Sequence, residues 1–141
     1  MGNNLSVKNV MQTKLISLHP KDRIASAKKI FETTHIHHIP VVVMSKIVGI
    51  ISLGDLLFYN RMQNTNEDKF LQKSESYLHH VQDIMTLNPI CISEHTEVTS
   101  AIDLMQQKRI NCLPVIREND LVGILTSYDL ITLLKSKLEI E

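Results

Sequence analysis

The sequence predicts a mixed α/β (α+β) fold made of two similar halves. Three observations carry that expectation: an internal repeat, a hydrophobic period that changes in the same order within each copy, and enough apolar residues to build a core. Of the 141 residues 43% are hydrophobic, which suits one domain, or two small halves sharing a core.

Shifting the chain by 74 positions lays Val7 on Val81, Met11 on Met85, Ile16 on Ile90, Ser26 on Ser100 and Ala27 on Ala101 without a gap. The same offset pairs Ile36 with Ile110, Pro40-Val41 with Pro114-Val115, Val48-Gly49-Ile50 with Val122-Gly123-Ile124, and Asp55-Leu56 with Asp129-Leu130. A repeat of this kind settles architecture before single residues are interpreted. Each copy has roughly fifty residues, too few to bury its apolar surfaces well alone, so the copies are expected to pack face to face. Residues 1–60 would hold the first copy with an N-terminal segment, 61–80 a helical connector and 81–141 the second copy.

Each copy begins with a short extended stretch, at Leu15 to Leu18 and Pro89 to Ile92. A helix follows: Val98, Ala101, Ile102 and Met105 fall at i, i+3, i+4 and i+7, and Ile24, Ala27 and Phe31 keep that stripe with Lys28 replacing one member. Asp22 and Thr96 are the expected N-caps. Two β-branched runs then read as a hairpin, Ile39 to Val43 with Ile47 to Ile51, and Leu113 to Ile116 with Leu121 to Leu125. Glu118-Asn119-Asp120 carries turn chemistry that Met44-Ser45-Lys46 lacks. A last helix, Leu53 to Tyr59 or Ser127 to Leu134, closes each copy. In the connector, Phe70, Leu71, Ser74, Tyr77 and Leu78 share a helical face behind Glu67 and Asp68, the pattern of a helix.

Fifteen Lys and Arg against fifteen Asp and Glu leave no net charge. No global field therefore attracts nucleic acid or an anionic membrane, and any anion site must be local. Few aromatics and zero net charge disfavour direct nucleic-acid binding. The apolar runs are too short to span a membrane and Met1-Gly2-Asn3-Asn4 does not begin a signal peptide, so a cytoplasmic protein is expected. Gly2 lacks the context of a myristoylation signal. Cys91 and Cys112, without CxxC spacing, suit reduced, buried thiols.

Asp83-Ile84-Met85-Thr86, Asn88-Pro89-Ile90, Leu113-Pro114-Val115, Leu121-Val122-Gly123-Ile124-Leu125-Thr126 and Asp129-Leu130 together resemble a CBS repeat. The first copy is a weaker match, and the resemblance covers roughly residues 7–60 and 81–134. It implies two β-α-β-β-α units packed about a pseudo-twofold axis with two clefts between them, a Bateman module, and further association into a homodimer. It also implies a non-enzymatic sensor of AMP, ADP, ATP or S-adenosylmethionine, with no required cofactor, that reports to a separate partner enzyme or transporter.

The strongest local pattern is Gly49-Ile50-Ile51-Ser52-Leu53-Gly54-Asp55, echoed by Gly123-Ile124-Leu125-Thr126-Ser127-Tyr128-Asp129, where a strand hands over to a helix. A carboxylate offers acceptor oxygens to vicinal ribose hydroxyls, and the Ser or Thr hydroxyl can bond to sugar or phosphate, so Asp55, Asp129, Ser52 and Thr126 are ribose candidates. The same spacing is also a capping box that merely starts a helix. Phosphate candidates are His37 and His38 before Pro40, with His35 nearby, and Lys108 and Arg109 before Pro114. In one nucleotide-binding member of the family a His-Arg-Leu-Pro segment supplies phosphate ligands. His37-His38-Ile39-Pro40 resembles it with His in place of Arg, whereas Asn111-Cys112-Leu113-Pro114 departs from it, which implies unequal clefts. The base would rest on Leu15, Ile16, Ile36 and Pro40, and on Ile90, Ile110 and Pro114, all equally suited to a core.

No nucleophile elbow, Gly-rich phosphate loop, metal-ligand motif or catalytic constellation is present, which disfavours an enzyme. Two other readings stay open. One is a metal or pH sensor using His35, His37, His38, His79 and His80; the other is a dimerising adaptor with empty clefts.

Overall fold

In the computed structural model, which describes residues 4–63 and 79–140, both copies follow the order that the hydrophobic periods set out. The first copy contributes α1 (Ile24–Thr33), β1 (His38–Val43), β2 (Lys46–Ser52) and α2 (Leu53–Gln63). A short α3 (Val81–Ile84) and β3 (Thr86–Leu87) follow, and the second copy contributes β4 (Ile92–Ser93), α4 (Val98–Lys108), β5 (Cys112–Arg117), β6 (Asp120–Thr126) and α5 (Ser127–Glu139). Most of the expected connecting helix, including Phe70, Leu71, Ser74, Tyr77 and Leu78, lies outside the described residues. Among the described residues no helix is long and apolar enough to cross a membrane.

The chain divides into two compact units whose boundaries do not follow the repeat. One unit is Ile16–Asn88; the other joins Met1–Leu15 to Pro89–Glu141. Each copy's leading segment therefore folds with the unit that carries the other copy. In the first unit β1 and β2 pair antiparallel, and β3, from the leading segment of the second copy, pairs antiparallel with β2 through Ile50 and Thr86. In the second unit β5 and β6 pair antiparallel, and Gln12, from the leading segment of the first copy, bridges Ile124. Offset by 74 residues, these are the same pairing.

The two cores obey the same offset. Leu18, Ala27, Phe31, Ile39, Val41 and Ile51 line the first, with Val81 brought in from the second copy's leading segment. Ile92, Ala101, Met105, Leu113, Val115 and Leu125 line the second, with Val7 brought in from the first. These leading segments also explain why the expected N-caps Asp22 and Thr96 are displaced by one residue. The caps are Arg23 and Glu97, and neither makes a side-chain capping bond. Instead the N–H of Ile24 donates to the His79 carbonyl (3.3 Å) and that of Val98 to the Leu5 carbonyl (2.9 Å). Backbone from a distant segment thus takes up a helix-end donor that a side chain would otherwise satisfy. Glu94, only 2% exposed, adds an ionic tie in the second unit. It accepts from Arg117 Nε and, at 2.9 Å, from Arg117 Nη2, with Lys8 Nζ at 4.0 Å.

The extended stretch expected at Leu15 to Leu18 is reduced to a single parallel bridge, Leu18 to Val41, and its counterpart is the two-residue β4, whose Ile92 faces Val115. Both hairpins turn through two residues with positive φ at each, Met44 (50°) and Ser45 (71°), and Glu118 (49°) and Asn119 (73°), the signature of a type I′ turn. Met44-Ser45 adopts it without favourable turn residues because the flanking strands fix the same register, including a bulge after Val41 that matches one after Val115.

Gly49 and Gly123 mark where the leading segments cross β2 and β6. A Cβ on Gly123 would lie 2.9 Å from Met11 Cγ and 3.0 Å from the Gln12 carbonyl oxygen; one on Gly49 would lie 3.0 Å from Met85 Cγ and 2.9 Å from the Thr86 carbonyl oxygen. A methionine tip can swing aside, but the carbonyl belongs to a paired backbone and cannot. Gly49→Ala and Gly123→Ala are each expected to lower stability by about 1–3 kcal/mol in urea denaturation. Conversely, Ser45→Gly, which relieves a left-handed residue, is expected to raise stability by about 1 kcal/mol in the same assay.

Candidate functional site

Each unit ends its hairpin at a strand-to-helix turn where the candidate residues gather. In the first unit His38, the first residue of β1, pairs with Ser52, the last residue of β2, and the Leu53 N–H donates to the His37 carbonyl at 2.8 Å. Ser52 and Asp55 form a reciprocal cap: the Ser52 N–H donates to Asp55 Oδ2 (2.8 Å) and the Asp55 N–H to Ser52 Oγ (3.0 Å). The capping role that the spacing allowed is therefore made. It uses only one carboxylate oxygen; Asp55 Oδ1 has no hydrogen-bond partner among the described residues.

His38 is half-buried beside this turn, and its ring likewise has no hydrogen-bond partner among the described residues. Burial pushes its pKa below the usual histidine range and the neighbouring His37 pushes the same way, while the Asp55 carboxylate opposes them. His35 and His37 are exposed. His79 and His80 are engaged elsewhere in the unit, His79 Nδ1 with the Tyr59 hydroxyl at 2.7 Å, and the His80 main-chain N–H with Asp83 Oδ2 at 2.8 Å, its ring Nδ1 3.9 Å from the same oxygen. Among the described residues no group of three or more His, Cys, Asp or Glu is placed to hold a metal ion.

The second unit repeats the backbone frame with different chemistry. Cys112 pairs with Thr126, and the Ser127 N–H donates to the Asn111 carbonyl at 3.0 Å. Asp129 is buried, 8% exposed, and its Oδ2 accepts from the Thr126 N–H (2.8 Å) and hydroxyl (3.2 Å). Its Oδ1 accepts from Gln12 Nε2 at 2.7 Å, a contact across 117 residues of sequence that no local pattern announces. Cys112, in the place of His38, is a buried thiol whose pKa is pushed up to about 12 by desolvation and then by the Asp129 charge. Cys91 is a free thiol too, only partly buried.

Arg109 is the C-cap of α4 in the left-handed conformation (φ 55°), and Lys108 sits in the last turn. Both side chains are exposed and make no hydrogen bond or ion pair with described residues. Of the base candidates, Pro40 and Pro114 have fully buried side chains. Leu15, Ile36 and Ile110 are partly buried, whereas Ile16 (42%) and Ile90 (41%), equivalent in the repeat, present apolar surface to solvent.

Two copies of one helix-hairpin-helix unit, each with an acid-capped turn after its hairpin, define a tandem-repeat module of the kind the sequence resembles. The chain belongs to the CBS domain family, whose model matches residues 7–61 and 81–136. A CBS domain-containing protein of Dictyostelium discoideum is 33% identical over 138 residues, covering 94% of this chain and 93% of that protein. Inosine-5'-monophosphate dehydrogenase of Methanocaldococcus jannaschii is 33% identical over 119 residues, but the chain spans only 21% of that enzyme's length. Among solved structures, the CBS domain pair of protein MJ0100 in complex with 5'-methylthioadenosine and S-adenosyl-L-methionine matches with a TM-score of 0.75 and 27% identity over 94% of this chain and 98% of that one. The CBS-pair protein CBSX2 from Arabidopsis thaliana shares the fold, with a TM-score of 0.77 and 24% identity over 97% of this chain and 99% of that one.

The depressed pKa of His38 makes stability depend on pH in a defined direction. Its folded-state value lies below the 6.5 of a free histidine, so the unfolded chain binds the proton first. The contribution is present above about pH 6.5 and is lost as pH falls toward the folded-state pKa. Urea midpoints measured from about pH 7.5 to about pH 5 should therefore decline more steeply for the wild type than for His38→Gln.

Proposed function

We propose that the chain is a regulatory module without catalytic activity of its own, binding an adenosine-containing ligand and reporting its presence to a separate partner enzyme or transporter. The observation that carries this reading is the pairing, at one turn, of an unpartnered carboxylate oxygen on Asp55 with the unpartnered, half-buried ring of His38. Buried or half-buried polar groups normally find partners. A ribose supplies two hydroxyl donors for Asp55 Oδ1, Ser52 lies beside it, and a phosphate or other polar group on the 5′ side meets His38 and His37. Apolar surface at Ile16 or Ile90 suits the base, and Lys108, Arg109, Thr126 and Asp129 are the corresponding polar groups of the second copy.

The CBS pair of MJ0100, with the same fold, is in complex with 5'-methylthioadenosine and S-adenosyl-L-methionine, which supports S-adenosylmethionine as a candidate; AMP, ADP and ATP share its adenosine part. His38, neutral at pH 7, offers a phosphate one N–H and no charge, so added phosphates should contribute little through this residue. The exposed apolar residues Leu57 and Phe58 on α2, and Ile131, Leu134 and Leu138 on α5, suit association with a second copy.

Calorimetric titration with AMP, ADP, ATP, S-adenosylmethionine and 5'-methylthioadenosine tests the reading. At least one should bind, and Asp55→Asn, whose amide oxygen can still accept the Ser52 N–H, should weaken that ligand by about tenfold or more while leaving the fold intact. Absence of binding by all five, or binding unchanged by Asp55→Asn, would remove the proposal.

A further inference from the structure

We infer that Gln12 is a built-in stopper on the second copy: its side-chain amide takes the Asp129 oxygen whose counterpart on Asp55 stays available, so the chain accepts one adenosine ligand rather than two. The inference rests on the function proposed above. Repeat-equivalent positions isolate the difference. In the second unit Asp129 Oδ2 serves the cap, as Asp55 Oδ2 does in the first. The remaining oxygen accepts from Gln12 Nε2 at 2.7 Å, a short, charge-assisted bond. In the first unit the residue equivalent to Gln12 is Thr86, whose shorter side chain makes no hydrogen bond to Asp55.

Gln12 is well placed for this role because its backbone is already fixed. Its N–H donates to the Ile124 carbonyl at 2.8 Å and its carbonyl accepts from the Ile124 N–H at 3.0 Å. Only the side-chain torsions remain to be ordered, so the amide reaches the carboxylate at small entropic cost. The N–H it donates takes the place of a ribose hydroxyl, and Asp129, 8% exposed, is left with both oxygens engaged. Cys112, a buried thiol where the first copy has His38, removes the second polar group a ligand would meet. A ligand entering here must break the Gln12 bond and push that side chain toward solvent, which the exposed position of Gln12 permits.

The test is stoichiometry, measured by calorimetric titration of the full chain with S-adenosylmethionine and, separately, with AMP. Wild type should bind one ligand per chain. Gln12→Thr, which installs the residue the repeat uses at position 86, should bind two, the second within about tenfold of the first, and adding Asp129→Asn should return the count to one. Gln12→Ala serves as a second variant, with urea denaturation confirming that both fold. A count that stays at one in both variants while binding still depends on Asp55, or a wild type that already binds two, would overturn the role of Gln12 alone. Silence in every titration would overturn this inference together with the ligand-binding reading beneath it.

Discussion

Val7 and Val81, neither with any exposed surface, each complete the core of the unit that carries the other copy. Burying a valine is worth about 1.5–3 kcal/mol, and here that burial also aligns everything around it. Upstream of each valine, the carbonyl of Leu5 or His79 receives the first N–H of a helix. Downstream, Met11 or Met85 lies over a glycine, and the next residue, Gln12 or Thr86, joins the hairpin. The hairpin that leads into each carboxylate turn is consequently joined by the leading segment of the other copy.

The sequence made the periodic features readable. An offset of 74 residues aligned both hairpins, both long helices of each copy and the capped Ser52-Asp55 and Thr126-Asp129 turns, because these depend on hydrophobic period and on contacts between near neighbours. What stayed hidden depends on distant partners. Asp22 and Thr96 look like caps, but the donors they would serve are met by His79 and Leu5. Met44-Ser45 carries no turn signal, yet strand register imposes left-handed geometry on both residues. Pro40 and Pro114 look as suitable for a ligand as for a core, and only burial separates the two. Gln12 gave no signal at all, since its partner is 117 residues away and a glutamine in an extended segment has no characteristic spacing.

The copies show how far chemistry can diverge on one backbone frame. His37 and Asn111 offer the same carbonyl to the first N–H of the following helix, at 2.8 Å and 3.0 Å. His38 and Cys112 occupy the same strand position opposite Ser52 and Thr126. One copy presents imidazole and a half-engaged carboxylate; the other presents a thiol held protonated at neutral pH and a carboxylate with both oxygens hydrogen-bonded. The main-chain bonds that hold the turn are indifferent to this change, which leaves the side chains free to specialise.

The crossed leading segments also set the order in which the polypeptide can be finished as it leaves the ribosome. The unit Ile16–Asn88 is continuous, so the pairings of β1 with β2 and of β2 with β3 need nothing made after residue 88. The other unit is discontinuous: Ser6 bridges Glu97 and Gln12 bridges Ile124. Ser6 and Gln12 therefore find these partners only once Glu97 and Ile124 have been made, across a long loop that contains the other unit. Synthesis from one end thus gives the two similar units different histories, one with hairpin pairings close in sequence, the other with pairings that wait for distant sequence.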